Sequence, residues 1–105
     1  MIGIDIEEVK RFVMPRAHSF IIKSFTKNEI AYAYARTIPA MHLAGFFCAK
    51  EAYCKSIGRG FAFQKIEIVH KSSGEPYLRI NGRLVKFVVS ISHTKTTAAA
   101  IVLKK

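Results

Sequence analysis

Tryptophan is absent from the 105-residue chain, and cysteine, proline and glycine number only two, three and six. So little glycine and proline excludes a collagen-like repeat or a flexible linker, and 50% apolar residues exclude a disordered chain. Two cysteines make no disulfide scaffold. Six helical positions apart, Cys48 and Cys54 project about 240° from each other around a helix axis and cannot bridge within it. Neither lies in a spacing that would hold zinc, so both are expected as reduced, half-buried thiols. No apolar run approaches the ~20 residues that span a bilayer, and no charged-then-apolar leader opens the chain. The expectation is one cytoplasmic domain covering residues 1–105, away from membranes, with a core that needs no staples.

Acidic residues are the other scarcity. Seventeen Lys and Arg against seven Asp and Glu give a net charge of +10, a field that attracts polyanions. Asp5 is the only aspartate, and Asp5, Glu7 and Glu8 fall within four residues near the N-terminus. Where negative charge is this rare, a carboxylate in an apolar setting needs a reason.

The pattern along the chain reads as α+β: an N-terminal strand, a helical segment with one long central helix, then three to four mainly antiparallel strands. In residues 1–6, Ile2, Ile4 and Ile6 share one face while Gly3 and Asp5 share the other. The following EEVKRF reads as a helical turn with Glu7 and Arg11 at i,i+4. Residues 13–40 read as irregular helix, with a Thr26–Glu29 capping box, until Pro39 interrupts. Residues 41–57 are the strongest helix, closed by Gly58 and Gly60. Its apolar stripe holds Leu43, Phe46, Phe47, Cys54 and Ile57, yet Lys50 lies near the middle of that stripe and Glu51 at its border. After Gly60 the period becomes two: 64–69, 77–80, 84–92 and 98–103 read as strands, with a hairpin turn at Asn81-Gly82.

Asp5, Glu51 with Lys50 and Lys55, and His93 are the residues that carry chemistry. Two carboxylates from different elements in a basic surround suit Mg²⁺, which favours one or two carboxylates together with phosphate oxygens and water. Each also has a plainer role. Asp5 can cap the next helical turn, and Glu51–Lys55 is an ordinary solvated pair worth ~0.3–0.5 kcal/mol. Lys50 can lay its stem over the core, and His93 can simply be hydrogen-bonded in place. Spacing alone names no function.

Gly3-Ile4-Asp5-Ile6, Phe47-Cys48-Ala49-Lys50-Glu51-Ala52 and Val89-Ser90-Ile91-Ser92-His93 occur in that order at suitable separations. Together they resemble the three signatures of the holo-acyl-carrier-protein synthases, the small 4′-phosphopantetheinyl transferases. The Ser73–Tyr77 turn and Ala98–Val102 add to a resemblance that spans residues 2–103. Cys48 departs from a frequent Ala, Arg59 from a frequent Thr, and the Asn81–Lys86 segment is short where members commonly carry a helix.

The resemblance implies transfer of 4′-phosphopantetheine from coenzyme A to a serine of apo-acyl carrier protein, in fatty-acid biosynthesis, with release of adenosine 3′,5′-bisphosphate. It implies that Asp5 and Glu51 hold Mg²⁺, that Lys55 steadies the phosphates, and that Glu51 or a metal-bound water receives the serine proton. It assigns Lys50, Lys55, Gly58, Ser92, His93 and Thr94 to coenzyme A, and a homotrimer with sites at subunit interfaces. The acidic carrier would dock on Lys10, Arg11 and Arg16 around Phe12, taken as an exposed anchor. The alternative, a basic nucleic-acid-binding domain, keeps the charge but leaves Asp5 and Glu51 without a role and lacks any recognisable nucleic-acid signature.

Overall fold

The computed structural model describes all residues 1–105. Strand β1 (Ile2–Glu8) leads through a 3₁₀ turn (Val9–Phe12) to helices α1 (Ser19–Ser24), α2 (Lys27–Tyr34) and α3 (Pro39–Ile57). Strands β2 (Ile66–His70), β3 (Pro76–Ile80), β4 (Arg83–Leu84), β5 (Phe87–His93) and β6 (Thr97–Lys104) follow. They form two antiparallel three-stranded sheets, ordered β1-β6-β5 and β2-β3-β4. The α+β architecture expected from the hydrophobic periods is present. No helix is long and apolar enough to cross a membrane.

Helix α3 is the axis of the molecule and is buried nearly all round, from Leu43 through Phe46, Phe47, Ala49 and Ala52 to Tyr53. Pro39 does not merely interrupt the preceding segment; it occupies the first turn of α3, where its missing N–H costs nothing. Gly58 closes the helix in the left-handed conformation, φ +75°. The capping box forms as expected: Glu29 N–H donates to Thr26 Oγ1 at 3.2 Å, and Thr26 N–H to Glu29 Oε1 at 2.9 Å. Asn81 and Gly82 both take positive φ, 51° and 78°, in the β3–β4 hairpin. The segment expected as one strand over 84–92 is broken at Val85–Lys86, and no helix forms there.

Two features of the first strand depart from expectation. It runs on through Glu8, so the helical turn shrinks to the 3₁₀ turn 9–12. Its isoleucine face, moreover, is open: Ile2, Ile4 and Ile6 are 60–67% exposed. The glycine face is the one that packs. A Cβ at Gly3 would collide with the carbonyl oxygen of Ala52, so β1 lies directly on the α3 backbone and carries Asp5 to its flank.

Candidate active site

Asp5 on β1 meets Glu51 and Lys55 on α3. Lys55 Nζ donates to Asp5 Oδ1 at 3.1 Å and to the Ile4 carbonyl at 3.0 Å. The Asp5 side chain is 12% exposed, and its Oδ2 is buried without a hydrogen-bond partner. A buried carboxylate oxygen left unpaired is costly, and the Cys48 thiol against Asp5 is only a weak donor. Burial first, then the charges of Asp5 and Glu7, raise the proton affinity of Glu51, while Lys55 and Arg11 act in the opposite direction. Cys48 lies beneath these carboxylates: burial, with Asp5 and Glu7 nearby, pushes its thiol up to about 12. It stays a thiol, 3.4 Å from the Ala98 carbonyl. No three His, Cys, Asp or Glu side chains converge to form a metal cage. Two carboxylates therefore offer an open site, suited to a cation that takes its other ligands from substrate and water.

Lys50 takes no part in this surface. Fully buried, it contacts Glu29 Oε1 at 2.6 Å and donates to the Ser24 and Phe63 carbonyls at 2.9 Å each. Glu29 Oε2 accepts from Ile68 N–H at 2.8 Å. Burial raises the proton affinity of Glu29 and lowers that of Lys50, and their mutual contact opposes both shifts. The assignment of Lys50 to coenzyme A is thus corrected: it is a sealed tie between α3, α2 and β2.

His93, at the end of β5, lies on the other flank of α3. Its ring is 6.0 Å from that of His42, on the first half of α3. His42 and Glu51 are nine helical positions apart and so point about 180° from each other. Around His42, Tyr32 stacks on His70 at 4.1 Å and Arg36 lies 3.3 Å over Tyr32, beside a cavity of about 190 Å³. Burial, then for His42 the neighbouring His93, Arg36 and His70 and for His70 the neighbouring Arg36, favour the neutral imidazoles of both. Neither histidine was singled out from the sequence. Their scarcity was the available signal, since three of only four histidines gather here.

Ser92 does not share this surface. It pairs with Ala99 on β6, in the row of Ile6, and so faces the open side of the sheet. Thr94 is engaged in its own turn, its Oγ1 accepting from the N–H groups of Thr96 and Thr97 at 3.2 and 3.1 Å. Gly58 caps α3 three residues beyond Lys55, at the edge of the carboxylate flank.

On the basic surface, Arg11 Nη1 donates to Glu7 Oε1 at 2.7 Å and Lys10 pairs with Glu8 at 3.2 Å, both exposed cations. Arg16 lies over the Tyr34 ring at 5.7 Å. Phe12 is not an exposed anchor: it is 1% exposed, in an aromatic cluster with Phe20, Phe25 and Phe47. A 3₁₀ turn aligns positions i and i+3, so Phe12 turns inward with Val9. Val13, 72% exposed, is the apolar side chain left beside the cations.

With this geometry in place, comparison with known proteins is decisive. The chain belongs to the 4′-phosphopantetheinyl transferase superfamily, whose family model matches residues 1–103. It is 37% identical over 107 residues to the holo-[acyl-carrier-protein] synthase of Protochlamydia amoebophila, an alignment that takes in 92% of this chain and 88% of that one. The crystal structure of the Bacillus anthracis holo-(acyl-carrier-protein) synthase in complex with CoA (3′,5′-ADP) matches with a TM-score of 0.80 and 35% identity, over 96% of this chain and 91% of that one. The Helicobacter pylori holo-[acyl-carrier-protein] synthase in complex with coenzyme A matches with a TM-score of 0.85 and 26% identity, over the full length of both chains.

Proposed function

We propose that this chain is a holo-acyl-carrier-protein synthase of the cytoplasm. It would transfer 4′-phosphopantetheine from coenzyme A to a serine hydroxyl of an acidic apo-acyl carrier protein, for fatty-acid biosynthesis, releasing adenosine 3′,5′-bisphosphate. The observation that carries the reading is the Asp5–Glu51–Lys55 constellation with its orphaned Asp5 Oδ2, in a chain of this family.

That orphaned oxygen, with Glu51 beside it and no competing cage, fits Mg²⁺, which Asp5 and Glu51 would hold. The cation supplies neutralisation of pyrophosphate charge and polarisation of the attacked phosphoryl group. Lys55 rests on Asp5 and is half-exposed, so it is free to turn its ammonium to the phosphates. The serine oxygen forms the new P–O bond, and the bond from phosphorus to the leaving bisphosphate breaks. The serine proton passes to Glu51 or to a water beside it.

The nucleotide end would meet His93 and the His42 cavity. Because α3 separates His93 from Asp5 within one chain, a site using both would be shared between copies. The open face of the β1-β6-β5 sheet supports self-association, with Ile2, Ile4 and Ile6 continued by Val88, Ile101 and Leu103, all at least 38% exposed. We assign this face to a homotrimer. The carrier would dock at Lys10, Arg11 and Arg16 around Val13, where a bidentate Arg–carboxylate contact is available.

The test is incubation of the protein with coenzyme A, an apo-acyl carrier protein and Mg²⁺, followed by mass spectrometry of the carrier. The reading predicts a gain of one phosphopantetheine. No gain with any divalent cation would overturn it.

A further inference from the structure

Arg11 stands where two surfaces meet. Its guanidinium lies over the Phe47 ring at 4.9 Å and over the Phe12 and Phe20 rings at 5.6 Å each, within the basic patch. Behind it, Nη1 donates to Glu7 Oε1 at 2.7 Å. The Arg11 side chain is 50% exposed and that of Glu7 only 16%. Glu7 follows Asp5 by two positions on β1, so both side chains leave the same face of the strand, toward α3. The transferase reading uses Asp5 and Glu51 as ligands and gives Glu7 no contact with cation or substrate. A third carboxylate beside two others is repulsive unless neutralised, and Arg11 is its ion-pair partner. The guanidinium therefore has two anionic claimants, Glu7 behind it and an acidic partner in front.

We propose that Glu7 and Arg11 form an exchange pair that links carrier docking to the carboxylate centre. An acidic side chain of the carrier takes the guanidinium from Glu7, and the freed Glu7 carboxylate turns to Asp5 and Glu51, strengthening their hold on a divalent cation. This rests on the docking and metal assignments made above. While paired, Glu7 and Arg11 contribute no net charge to the centre; once Arg11 is neutralised from outside, one uncompensated negative charge remains there. Linkage makes the effect reciprocal: a cation at the centre draws Glu7 away from Arg11 and leaves Arg11 free for the carrier.

The experiment uses an apo-acyl carrier protein whose acceptor serine is replaced by alanine, so that nothing turns over. Carrier binding is measured by calorimetry with and without Mn²⁺, and Mn²⁺ binding by electron paramagnetic resonance with and without carrier. In the wild type, each ligand should tighten the other by about fivefold or more. Glu7→Gln should bind carrier more tightly than the wild type in the absence of metal, and should respond to Mn²⁺ by less than about twofold. Glu7→Thr, a second neutral replacement, should behave alike. Independent binding of metal and carrier to the wild type, or equal coupling in the variants, overturns the exchange pair and leaves the transferase reading intact. Failure of the wild type to bind Mn²⁺ or carrier at all overturns both.

Discussion

Two lysines of the same helix each meet a carboxylate, and the two pairs differ in almost every respect. Lys50 and Glu29 are both fully buried, 2.6 Å apart, and every remaining polar atom of the pair is bonded to a backbone group. Lys55 and Asp5 are 3.1 Å apart at the surface, the lysine half-exposed and one aspartate oxygen unsatisfied. A closed network of this kind has no capacity left for a ligand; its role is to lock α3 against α2 and β2. The open pair is incompletely satisfied and keeps capacity for a cation and phosphate. Adjacent residues Lys50 and Glu51 thus have different surroundings: one is sealed into the core, the other lies beside Asp5 and Lys55.

The sharpest break of this contrast should come from Glu51→Gln. Turnover should fall by about a thousandfold or more, equivalent to ~4 kcal/mol of lost transition-state stabilisation. The same variant should melt at a slightly higher temperature at neutral pH without metal. The sign follows from the raised proton affinity of Glu51: in the folded protein its charged form is disfavoured relative to the unfolded chain, and Gln removes that penalty. A lower melting temperature would show that Glu51 contributes to the fold.

Lys50→Met should act in the opposite sense. Leaving Glu29 buried and unpaired should cost about 3–5 kcal/mol in denaturant unfolding, while Glu29→Gln combined with Lys50→Met should recover part of it by removing the unpaired charge. A single variant as stable as the wild type would contradict the sealed-tie description.

Acidification should weaken cation binding at Glu51. Protons compete with a divalent cation for Glu51, so the apparent Mg²⁺ affinity should decline while pH is still above the ordinary carboxylate range. The smallest effect belongs to the far flank of α3. His93→Ala should raise the KM for coenzyme A more than it lowers kcat, measured in steady-state assays with carrier in excess.

The sequence made the two carboxylates of the open site legible but not their lysine's partner: Lys55 reads as the i,i+4 mate of Glu51 and pairs instead with Asp5. The sealed pair was only half legible. Gly3 and Asp5 alternate against the isoleucines, and the two carboxylates stand out because acids are rare. The Thr26–Glu29 capping box was also visible, and so was the oddity of a lysine inside an apolar stripe. That the two belong together was not, because Glu29 and Lys50 meet only through tertiary packing. Phe12 beside Lys10 and Arg11 reads as exposed on an α-helical turn; the 3₁₀ turn that forms points it inward. Ser92 and His93 share one sequence motif but, as neighbours on a strand, face opposite sides of the sheet. The exposed isoleucine face follows from Gly3, whose missing side chain lets β1 press its other face onto α3.

The most direct measurement is a side-by-side Mg²⁺-dependent transfer assay on two variants, Asp5→Asn and the double substitution Glu29→Gln with Lys50→Met, with circular dichroism confirming that each is folded. The account predicts that Asp5→Asn is folded and nearly inert, while the double variant transfers phosphopantetheine at a rate close to that of the wild type. An active Asp5→Asn, or a folded double variant as inactive as Asp5→Asn, would contradict it.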